Sequence, residues 1–332
     1  MQEKKIDKSQ WIDPEERIEY YLNNKSTIEL DLNLLESVQN LNSWTKKEVK
    51  YISYSDFKNS FLHWYCKNLM HLPLIRDIRT LPFYNKYRDL HSLIDFFRPF
   101  DQFETNIEHV KFPIFYGEHG ETGTLPIIRK ARQTTDKIST LYDLRSLRFN
   151  TPCLEVSSSD IPWNKKNNNV IWRGATTGSK TRESFVKKYF DNYDIGFSNV
   201  KQKPHLEPFK KNTISIAEQL KSKFIVSLQG NDIASNIRWT LFSNSVLIMP
   251  KPKWTSWAMD EKLNPQEHYL ELNDDLSNLE DLLEWAQSND SLCQQIAQNG
   301  KNFISQVLDR EYDDQIRFRL LDQYANRLKI IY

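Results

Sequence analysis

The segment WRGATTGSKTR, from Trp172 to Arg182, carries side chains that are well suited to bind an anion. A short apolar strand is predicted over 169–173, the chain then turns through glycines and hydroxyl residues, and a helix is predicted to begin near Thr181. Backbone amides at the start of a helix bind anions, and Arg173 and Arg182 could add bidentate contacts to phosphate oxygens. A polar turn capped by Thr181, with solvated arginines, explains the same residues equally well.

A second polar segment follows the apolar strand that is predicted over 223–229. It reads GND and enters a helix predicted over 233–244. Ser235 and Arg238 are three residues apart, so on one face of that helix both could contact the same ligand. Because neighbouring parallel strands end at the same edge of a sheet, the two loops together predict one ligand site. The alternative is that Asn231 or Asp232 caps the helix and that Arg238 pairs with a surface carboxylate.

Two further segments could contribute to a site. Aromatic residues concentrate in KPKWTSW (251–257), and the sequence continues to His268 and Tyr269. Aromatic faces could stack on a sugar or a base, and His268 could donate a hydrogen bond to a phosphate or hydroxyl, although aromatic residues more often fill a core. The loop over 117–123 offers Glu118 as a candidate general base, although solvated acids are common on such loops.

The elements that must position these residues follow from the hydrophobic pattern. After residue 152, short apolar strands alternate with helices, which predicts a parallel sheet with crossover helices and therefore the α/β class. The first 100 residues are predicted to be largely helical. The remaining predicted strands cover 109–116, 125–131, 245–250 and 268–272. The predicted helices cover 56–70, 87–97, 276–286 and 292–307, and Gly300 could interrupt the last of them.

The composition excludes several functional classes. Among the 8 glycines of the 332 residues, no two are separated by a single residue, so the dinucleotide motif G-x-G-x-x-G is absent, and so is a Walker phosphate loop. With 45 basic and 44 acidic residues the charge is balanced, and no nucleic-acid partner is expected. The sequence has no Asp-x-Asp motif and no histidine or cysteine cluster, so neither a metal nor a cofactor is predicted. We expect a cytoplasmic protein of about two domains, since no secretory signal or membrane-spanning run occurs.

From Pro162 to Phe303 the sequence resembles glycosyltransferase family 90. This family includes bacterial lipooligosaccharide and capsule-associated glycosyltransferases and the protein O-glucosyltransferases of the eukaryotic secretory pathway. The matching motifs occur in a continuous order. They are PWNKKN, the Arg173-Gly174 pair, the segment from Lys223 to Arg238, MPKPKW, LNPQEHY and IAQNG. The segment GNDIASN and the Trp257-x-Met259 pattern are most similar to the bacterial lipooligosaccharide branch.

The resemblance implies a GT-B-like fold, in which two Rossmann-type domains face a cleft, with a largely helical N-terminal region. It also implies a nucleotide-sugar donor in the C-terminal half and transfer that inverts the anomeric carbon without a metal. We therefore expect an acceptor-side domain over 1–155, a nucleotide-sugar-binding domain over 156–308 and a C-terminal helix over 309–332.

The resemblance also implies which residues act. Glu118 corresponds to the catalytic base of the family, in which this residue is an Asp. The residues expected to hold the UDP-sugar donor are Arg173, Gly174, Thr177, Arg182, Gly230, Asn231, Ser235, Arg238 and His268.

The expected acceptor is an oligosaccharide or lipid-linked glycan in lipooligosaccharide, lipopolysaccharide or capsule biosynthesis, reached in the cytoplasm or in peripheral contact with the inner face of the membrane. A protein acceptor is one alternative. The other is a catalytically impaired nucleotide-sugar-binding or scaffold protein, because Ala175 and Thr176 stand where the family often has Ser and Arg and Glu118 stands where it has Asp.

Overall fold

The computed structural model describes residues 8–40, 49–60, 90–115, 117, 125–144, 146–178 and 180–332. The strands are β1 (Ile28–Asp31), β2 (Val49–Ile52), β3 (Phe112–Phe115), β4 (Ile128–Arg129), β5 (Ala131–Gln133), β6 (Thr140–Leu141), β7 (Asn167–Ala175), β8 (Asp194–Asn199), β9 (Ser222–Val226), β10 (Val246–Pro250), β11 (Trp254–Ser256), β12 (Leu270–Leu272) and β13 (Leu328–Ile331). The helices are α1 (Pro14–Tyr21), α2 (Leu32–Asn40), α3 (Tyr54–Lys58), α4 (Leu90–Phe97), α5 (Ser146–Ser159), α6 (Thr181–Tyr189), α7 (Ile216–Gln219), α8 (Ile237–Phe242), α9 (Leu279–Ser288), α10 (Asp290–Leu308) and α11 (Arg310–Arg327). None of the helices within these ranges combines the length and apolar composition that a bilayer span requires.

The chain divides into two compact units. The C-terminal unit consists of Arg148–Asp309 with the segment that ends at Trp11, and the N-terminal unit consists of Ile12–Leu147 with Arg310–Tyr332. The predicted boundary at 155/156 falls inside α5, the helix in which the chain passes from one unit to the other. The predicted C-terminal helix over 309–332 comprises α11 and then strand β13, and these residues fold with the N-terminal unit.

The C-terminal unit is built on five strands in the order β12-β10-β9-β7-β8. Every pairing between neighbouring strands of this sheet is parallel. Helix α6 links β7 to β8, and helix α8 links β9 to β10, as the alternation of apolar strands and helices predicts. The α/β class expected from the sequence is therefore confirmed.

The strand order has a reversal point at one edge of this sheet. Numbered along the chain from β7, the strands stand in the order 2-1-3-4-5, the flavodoxin-like form of the doubly wound sheet. In such sheets ligands bind beyond the carboxyl ends of the strands, where the strand order reverses between the first and third strands. These are β7 and β9, so the switch point lies beside the two polar loops. The pairing of two Rossmann-type domains in a GT-B arrangement stays a prediction.

A buried core positions the ends of these strands. The Trp172 ring is 3% exposed and meets the rings of Phe185 and Phe197 edge to face, with centroid distances of 6.4 and 5.6 Å. Phe224 of β9 and Ile248 of β10 belong to the same cluster. Each large apolar side chain contributes about 1.5–3 kcal/mol when it is buried. This cluster therefore determines where the loops leave the sheet.

Helix α8 is shorter than the helix predicted over 233–244, because it begins at Ile237 and ends at Phe242. The side chain of Asn236 explains the late start. Its Nδ2 donates to the Val226 carbonyl at 2.9 Å, and its Oδ1 accepts from Ser227 Oγ at 2.8 Å. These bonds hold the entry to the helix against the end of β9, so residues 230–236 form bends and turns instead of a first helical turn.

Two other features of the C-terminal unit differ from the predictions. The edge strand β8 is not among the predicted strands, because Gly196 and polar residues interrupt its apolar pattern. Gly300 does not interrupt α10, which is continuous from Asp290 to Leu308. A Cβ atom at Gly300 would lie 2.9 Å from Leu241 Cδ2 and 3.0 Å from the His268 carbonyl oxygen, so this glycine permits close packing of the helix.

The N-terminal unit contains small sheets as well as helices. Four strands stand in the order β2-β3-β4-β6, with β2 antiparallel to β3 and the other pairs parallel, and β1 pairs with β13 in parallel. Strands β1 and β2 therefore add to a region that is predicted to be largely helical. The predicted helices over 56–70 and 87–97 correspond in their described parts to α3 and α4, whereas residues 61–89 lie outside the described residues.

Buried charged side chains hold helix α11 within the N-terminal unit. Arg317 Nε donates to Asp313 Oδ2 at 2.7 Å, and Arg317 Nη2 donates to Asp143. Arg17 of α1 donates to the other oxygen of Asp313, also at 2.7 Å. Burial alone would lower the pKa of Arg317, but the carboxylates of Asp313 and Asp143 raise it well above its usual value. The guanidinium is thus fully compensated in the interior.

We expect Arg317→Met to lower the free energy of unfolding by about 3–5 kcal/mol, because buried carboxylates lose the cation that compensates them. Arg310→Met is the matched control, since Arg310 lies on the same helix with a side chain that is 78% exposed and an ion-pair distance of 3.7 Å to Asp314. Its loss should be about 0–1 kcal/mol. Urea unfolding measures both variants, and equal losses would contradict the importance of the buried network.

Candidate functional site

The loops that follow β7 and β9 touch at the switch point of the sheet. Gly178 has a φ of +84°, and a Cβ atom at this residue would lie 2.2 Å from the Gly230 carbonyl oxygen. Only glycine tolerates this backbone conformation together with this contact. The two polar segments therefore adjoin, as their places after neighbouring strands predict.

Arg182, in the first turn of α6, connects these two loops through its guanidinium group. Its Nη1 donates to the Ala175 carbonyl at 3.0 Å and to Thr177 Oγ1 at 2.9 Å. Its Nε and Nη2 donate to the carbonyls of Gln229 at 3.0 Å and Leu228 at 2.8 Å. Burial lowers the pKa of Arg182 to about 10, which leaves the side chain charged at neutral pH. Most of the N–H groups of this predicted phosphate ligand are thus directed at protein acceptors.

Arg173 points from strand β7 toward the edge strand β8. Its Nη2 forms an ion pair with Asp194 Oδ1 at 2.5 Å, and its Nη1 donates to the Asp194 carbonyl at 2.8 Å. Its Nε donates to the Asn212 carbonyl at 3.1 Å. The next residue, Gly174, packs on the Trp172 ring, since an added Cβ atom would lie 2.6 Å from that ring. These contacts fix the end of β7, and donor binding by either residue stays a prediction.

Ser235 and Arg238 do not share a helix face, so that part of the sequence interpretation is wrong. Ser235 is exposed in the turn before α8, whereas Arg238 lies inside the helix and is only 3% exposed. Arg238 Nη1 donates to Asn150 Oδ1 of α5 at 2.8 Å, and the guanidinium lies 4.8 Å from the centre of the Phe149 ring. The late start of α8 is the physical reason. The predicted pairing of Arg238 with a surface carboxylate does not fit this burial either.

Asp260 is a buried carboxylate that the sequence interpretation does not include. Its Oδ2 accepts hydrogen bonds from the Ser256 amide at 2.7 Å and from the Ser256 hydroxyl at 2.6 Å. Burial raises the pKa of Asp260, while the bonds from Ser256 and the charge of Arg238 act in the opposite direction. Met259, which precedes it, has a left-handed φ of 55°, an uncommon conformation for a residue with a side chain. The signal in the sequence is the Asp that directly follows the Trp-x-Met motif.

His268 is held in one orientation by a backbone amide and an aromatic ring. Its Nδ1 accepts a hydrogen bond from the Asn264 amide at 2.9 Å, so the neutral ring carries its proton on Nε2. The ring centre lies 5.0 Å from that of Phe303. Burial lowers the pKa of His268, and the Glu267 carboxylate offsets only part of this effect. The Nε2–H group is therefore a neutral donor, which suits the role that the sequence predicts.

A small apolar cleft lies beside the second loop, at the carboxyl ends of β9 and β10. Trp254 is partly exposed and lines this cleft, whereas Trp257 and Tyr269 are buried and contribute to the core. The aromatic residues of this segment thus divide between a partly exposed position at the cleft and the buried core. The residues that line the cleft are Ser227, Gln229, Ile233, Ala234, Ile237, Met249, Pro250, Pro252 and Trp254.

The remaining predicted site residues fall into two groups. Thr177, Gly230 and Asn231 are partly buried in the two adjoining loops, where they could approach a common ligand. Glu118, the predicted base, lies outside the described residues.

The burial of His268 has a measurable consequence. We expect an NMR titration to place its pKa below the value of about 6.5 that is usual for histidine, with the proton on Nε2 at neutral pH. Glu267→Gln should lower that pKa further, because the carboxylate that favours the imidazolium is removed. A pKa above the usual value, or a neutral ring protonated on Nδ1, would contradict this description.

Comparison with known proteins places the chain in a family. The model described as Glycosyl transferase family 90 matches residues 131–331. The O-glucosyltransferase LpsA of Dichelobacter nodosus is 25% identical over 245 residues, which cover 73% of each chain. Human Protein O-glucosyltransferase 1 is 25% identical over 179 residues, which cover 52% of this chain and 45% of the human protein. The chain therefore belongs to glycosyltransferase family 90, as the sequence motifs indicate, and it is a glycosyltransferase.

Proposed function

We propose that this glycosyltransferase takes a hexose from a UDP-sugar and transfers it to a hydroxyl of a glycan acceptor, with inversion at the anomeric carbon and without a metal. The observation that carries the proposal is the contact between the loops after β7 and β9 at the switch point of a parallel sheet. Doubly wound sheets bind mononucleotides and dinucleotides at this point.

The start of α6 would give the donor diphosphate its electrostatic partner. The helix begins at Thr181, and Lys180 at its N-cap makes no capping hydrogen bond with its side chain. The amides of a first helical turn and the positive end of the helix dipole attract anions. The Thr177 and Ser235 hydroxyls lie in the two loops, and Arg182 adds positive charge between them. Such preorganised groups stabilise the charge that develops on a leaving diphosphate.

The uracil base would lie against the outer surface of the apolar cleft, beside the partly exposed Trp254. Trp254, Pro250 and Ile233 supply apolar and aromatic surface for a flat ring, and Gln229 and Ser227 supply polar atoms beside it. This cleft and the two loops share residue Gln229, whose carbonyl accepts from Arg182. A base and its diphosphate would therefore occupy adjoining parts of the same edge.

In the proposed reaction Glu118 accepts the proton of the acceptor hydroxyl, whose oxygen attacks the anomeric carbon on the face opposite the diphosphate. The glycosidic bond forms as the bond between the anomeric carbon and the β-phosphate oxygen breaks, and UDP leaves with the electron pair. Because attack and departure occur on opposite faces, the configuration inverts.

The names of the relatives favour a first choice of donor. LpsA and the human protein are both named O-glucosyltransferases, which makes UDP-glucose the first donor to test. We propose a lipooligosaccharide, lipopolysaccharide or capsule glycan as the acceptor, reached in the cytoplasm or at the inner face of the membrane.

Release of UDP from UDP-glucose, UDP-galactose or UDP-xylose, measured with a lipooligosaccharide acceptor, tests the activity and the base. Glu118→Gln should slow release by about 10²–10⁴-fold and spare UDP affinity, because an amide cannot accept the proton. Glu121→Gln, in the same segment of the sequence, is the control. Unchanged turnover in Glu118→Gln would remove this residue as the base. A wild-type protein that binds UDP and releases none from these donors would favour the scaffold alternative.

The donor site can be tested through Ser235, whose hydroxyl is exposed before α8. If this hydroxyl contacts the donor, Ser235→Ala should raise the dissociation constant of UDP about three- to tenfold, as expected for the loss of one hydrogen bond. Ser291→Ala, at an exposed position in the first turn of α10, is the matched control and should leave the constant unchanged. Isothermal titration calorimetry measures both variants. Equal affinities would exclude Ser235 from the donor site.

A further inference from the structure

We propose that Arg182 is a positioning residue for glycosyl transfer, whose guanidinium sets the spacing of the two donor-binding loops without contacting the donor. The inference rests on the proposed donor site at the ends of β7 and β9. It gives this arginine a role that differs from the phosphate ligand that the sequence predicts.

The hydrogen bonds of Arg182 divide evenly between the end of β7 with its loop and the loop after β9. On the first side the acceptors are the carbonyl of Ala175, the last residue of β7, and Thr177 Oγ1 in the loop, and on the second side they are the carbonyls of Leu228 and Gln229. A guanidinium has five N–H groups, so these four bonds leave one for any other partner. Bidentate binding of a phosphate requires two parallel N–H groups. The side chain is therefore committed to the loops.

The backbone contact between the two loops keeps them apart, whereas the hydrogen bonds of Arg182 hold them together. The hydrogen bonds of Arg182 draw the loops together, while the contact between Gly178 and Gly230 sets the closest distance they can reach. A Cβ atom at Gly230 would also lie 3.1 Å from Arg182 Nη2, so the guanidinium packs directly against this loop. The hydrogen bonds and the glycine contact together fix the distance between the two loops. A diphosphate that is bound by amides and hydroxyls of both loops requires such a fixed spacing, since a misplacement of about 1 Å can cost about 10²-fold in rate.

The geometry of the Arg182 hydrogen bonds distinguishes a residue that positions the two loops from one that contributes only a positive charge. A lysine at this position would keep the positive charge, but its donors all belong to one nitrogen, which cannot reach four acceptors on two loops. A direct phosphate ligand would tolerate lysine better than a neutral residue, whereas a positioning residue would not.

The test compares Arg182→Lys with Arg182→Gln by hydrogen exchange in the ligand-free protein and by UDP affinity. Both variants should speed amide exchange by at least about tenfold in segments 176–178 and 229–231, because hydrogen bonds from a charged group no longer hold the two segments together. Both should weaken UDP binding to the same extent. Lys187→Gln is the matched control on the same helix, with a side chain that is 48% exposed and paired with Glu183 at 2.7 Å, and it should change neither quantity.

Two results would overturn the proposal. One is exchange in both segments at the wild-type rate, and the other is UDP affinity that Arg182→Lys retains and Arg182→Gln loses. The measurement also separates this inference from the proposed function. A wild-type protein that does not bind UDP would reject the UDP donor, whereas the exchange rates would still decide whether Arg182 couples the loops.

A second variant covers the case in which the Arg182 variants do not fold. Gly178→Ala keeps the arginine and forces the loops apart, because its Cβ atom would meet the Gly230 backbone. It should raise exchange rates in both segments and weaken UDP binding. Wild-type exchange and affinity in this variant would overturn the proposal.

Discussion

A buried main-chain carbonyl requires a hydrogen-bond donor, and in this protein arginine side chains meet that requirement at the ends of strands and helices. In the C-terminal unit, Arg182 supplies donors to the last carbonyl of β7 and to two carbonyls that follow β9. In the N-terminal unit, Arg132 donates to the carbonyls of Tyr20, Tyr21 and Ser139 at 2.7–3.0 Å. A planar guanidinium suits this role, because its N–H groups reach several acceptors from one rigid group.

This use of arginine affects the chemistry of the sheet edge. The guanidinium groups of Arg173, Arg182 and Arg238 are already oriented by protein groups, so they need not reorganise when a leaving diphosphate gains charge. Arg173 is compensated by Asp194, and Arg238 lies close enough to the buried Asp260 to lower the pKa of that carboxyl against the effect of burial. The positive electrostatic potential at this edge therefore comes in part from guanidinium groups that protein contacts hold in place. The carboxylates of Asp194 and Asp260 reduce this potential.

The sequence predicts the scaffold of the C-terminal unit well, because apolar strands and polar loops alternate there with a clear period. Strands β7, β9 and β10 and the adjoining polar loops follow directly from that pattern. The direction of each guanidinium group cannot be predicted from that pattern. A sequence shows which residues are charged, but it does not show which carbonyls lie within hydrogen-bond distance of them in the fold. The turn before α8 is missed for a similar reason: Asn236 binds the end of β9, and this tertiary contact overrides the local helix propensity. The hydrophobic pattern does not single out Asp260, because in a sequence a buried carboxylate cannot be distinguished from an exposed acidic residue of a loop.

The pairing of β1 with β13 brings together residues that are about 300 positions apart, Ile28 with Leu328 and Asp31 with Ile331. Helix α11 likewise contributes the carboxylate of Asp313 to Arg17 of α1. The N-terminal unit is thus incomplete until residues 310–331 have been synthesised, whereas the C-terminal unit needs nothing beyond Asp309. Domains usually fold in the order in which they emerge from the ribosome. In this protein residues 12–147 must wait for α11 and β13, so the sheet that carries the proposed donor site can assemble before the N-terminal unit is complete.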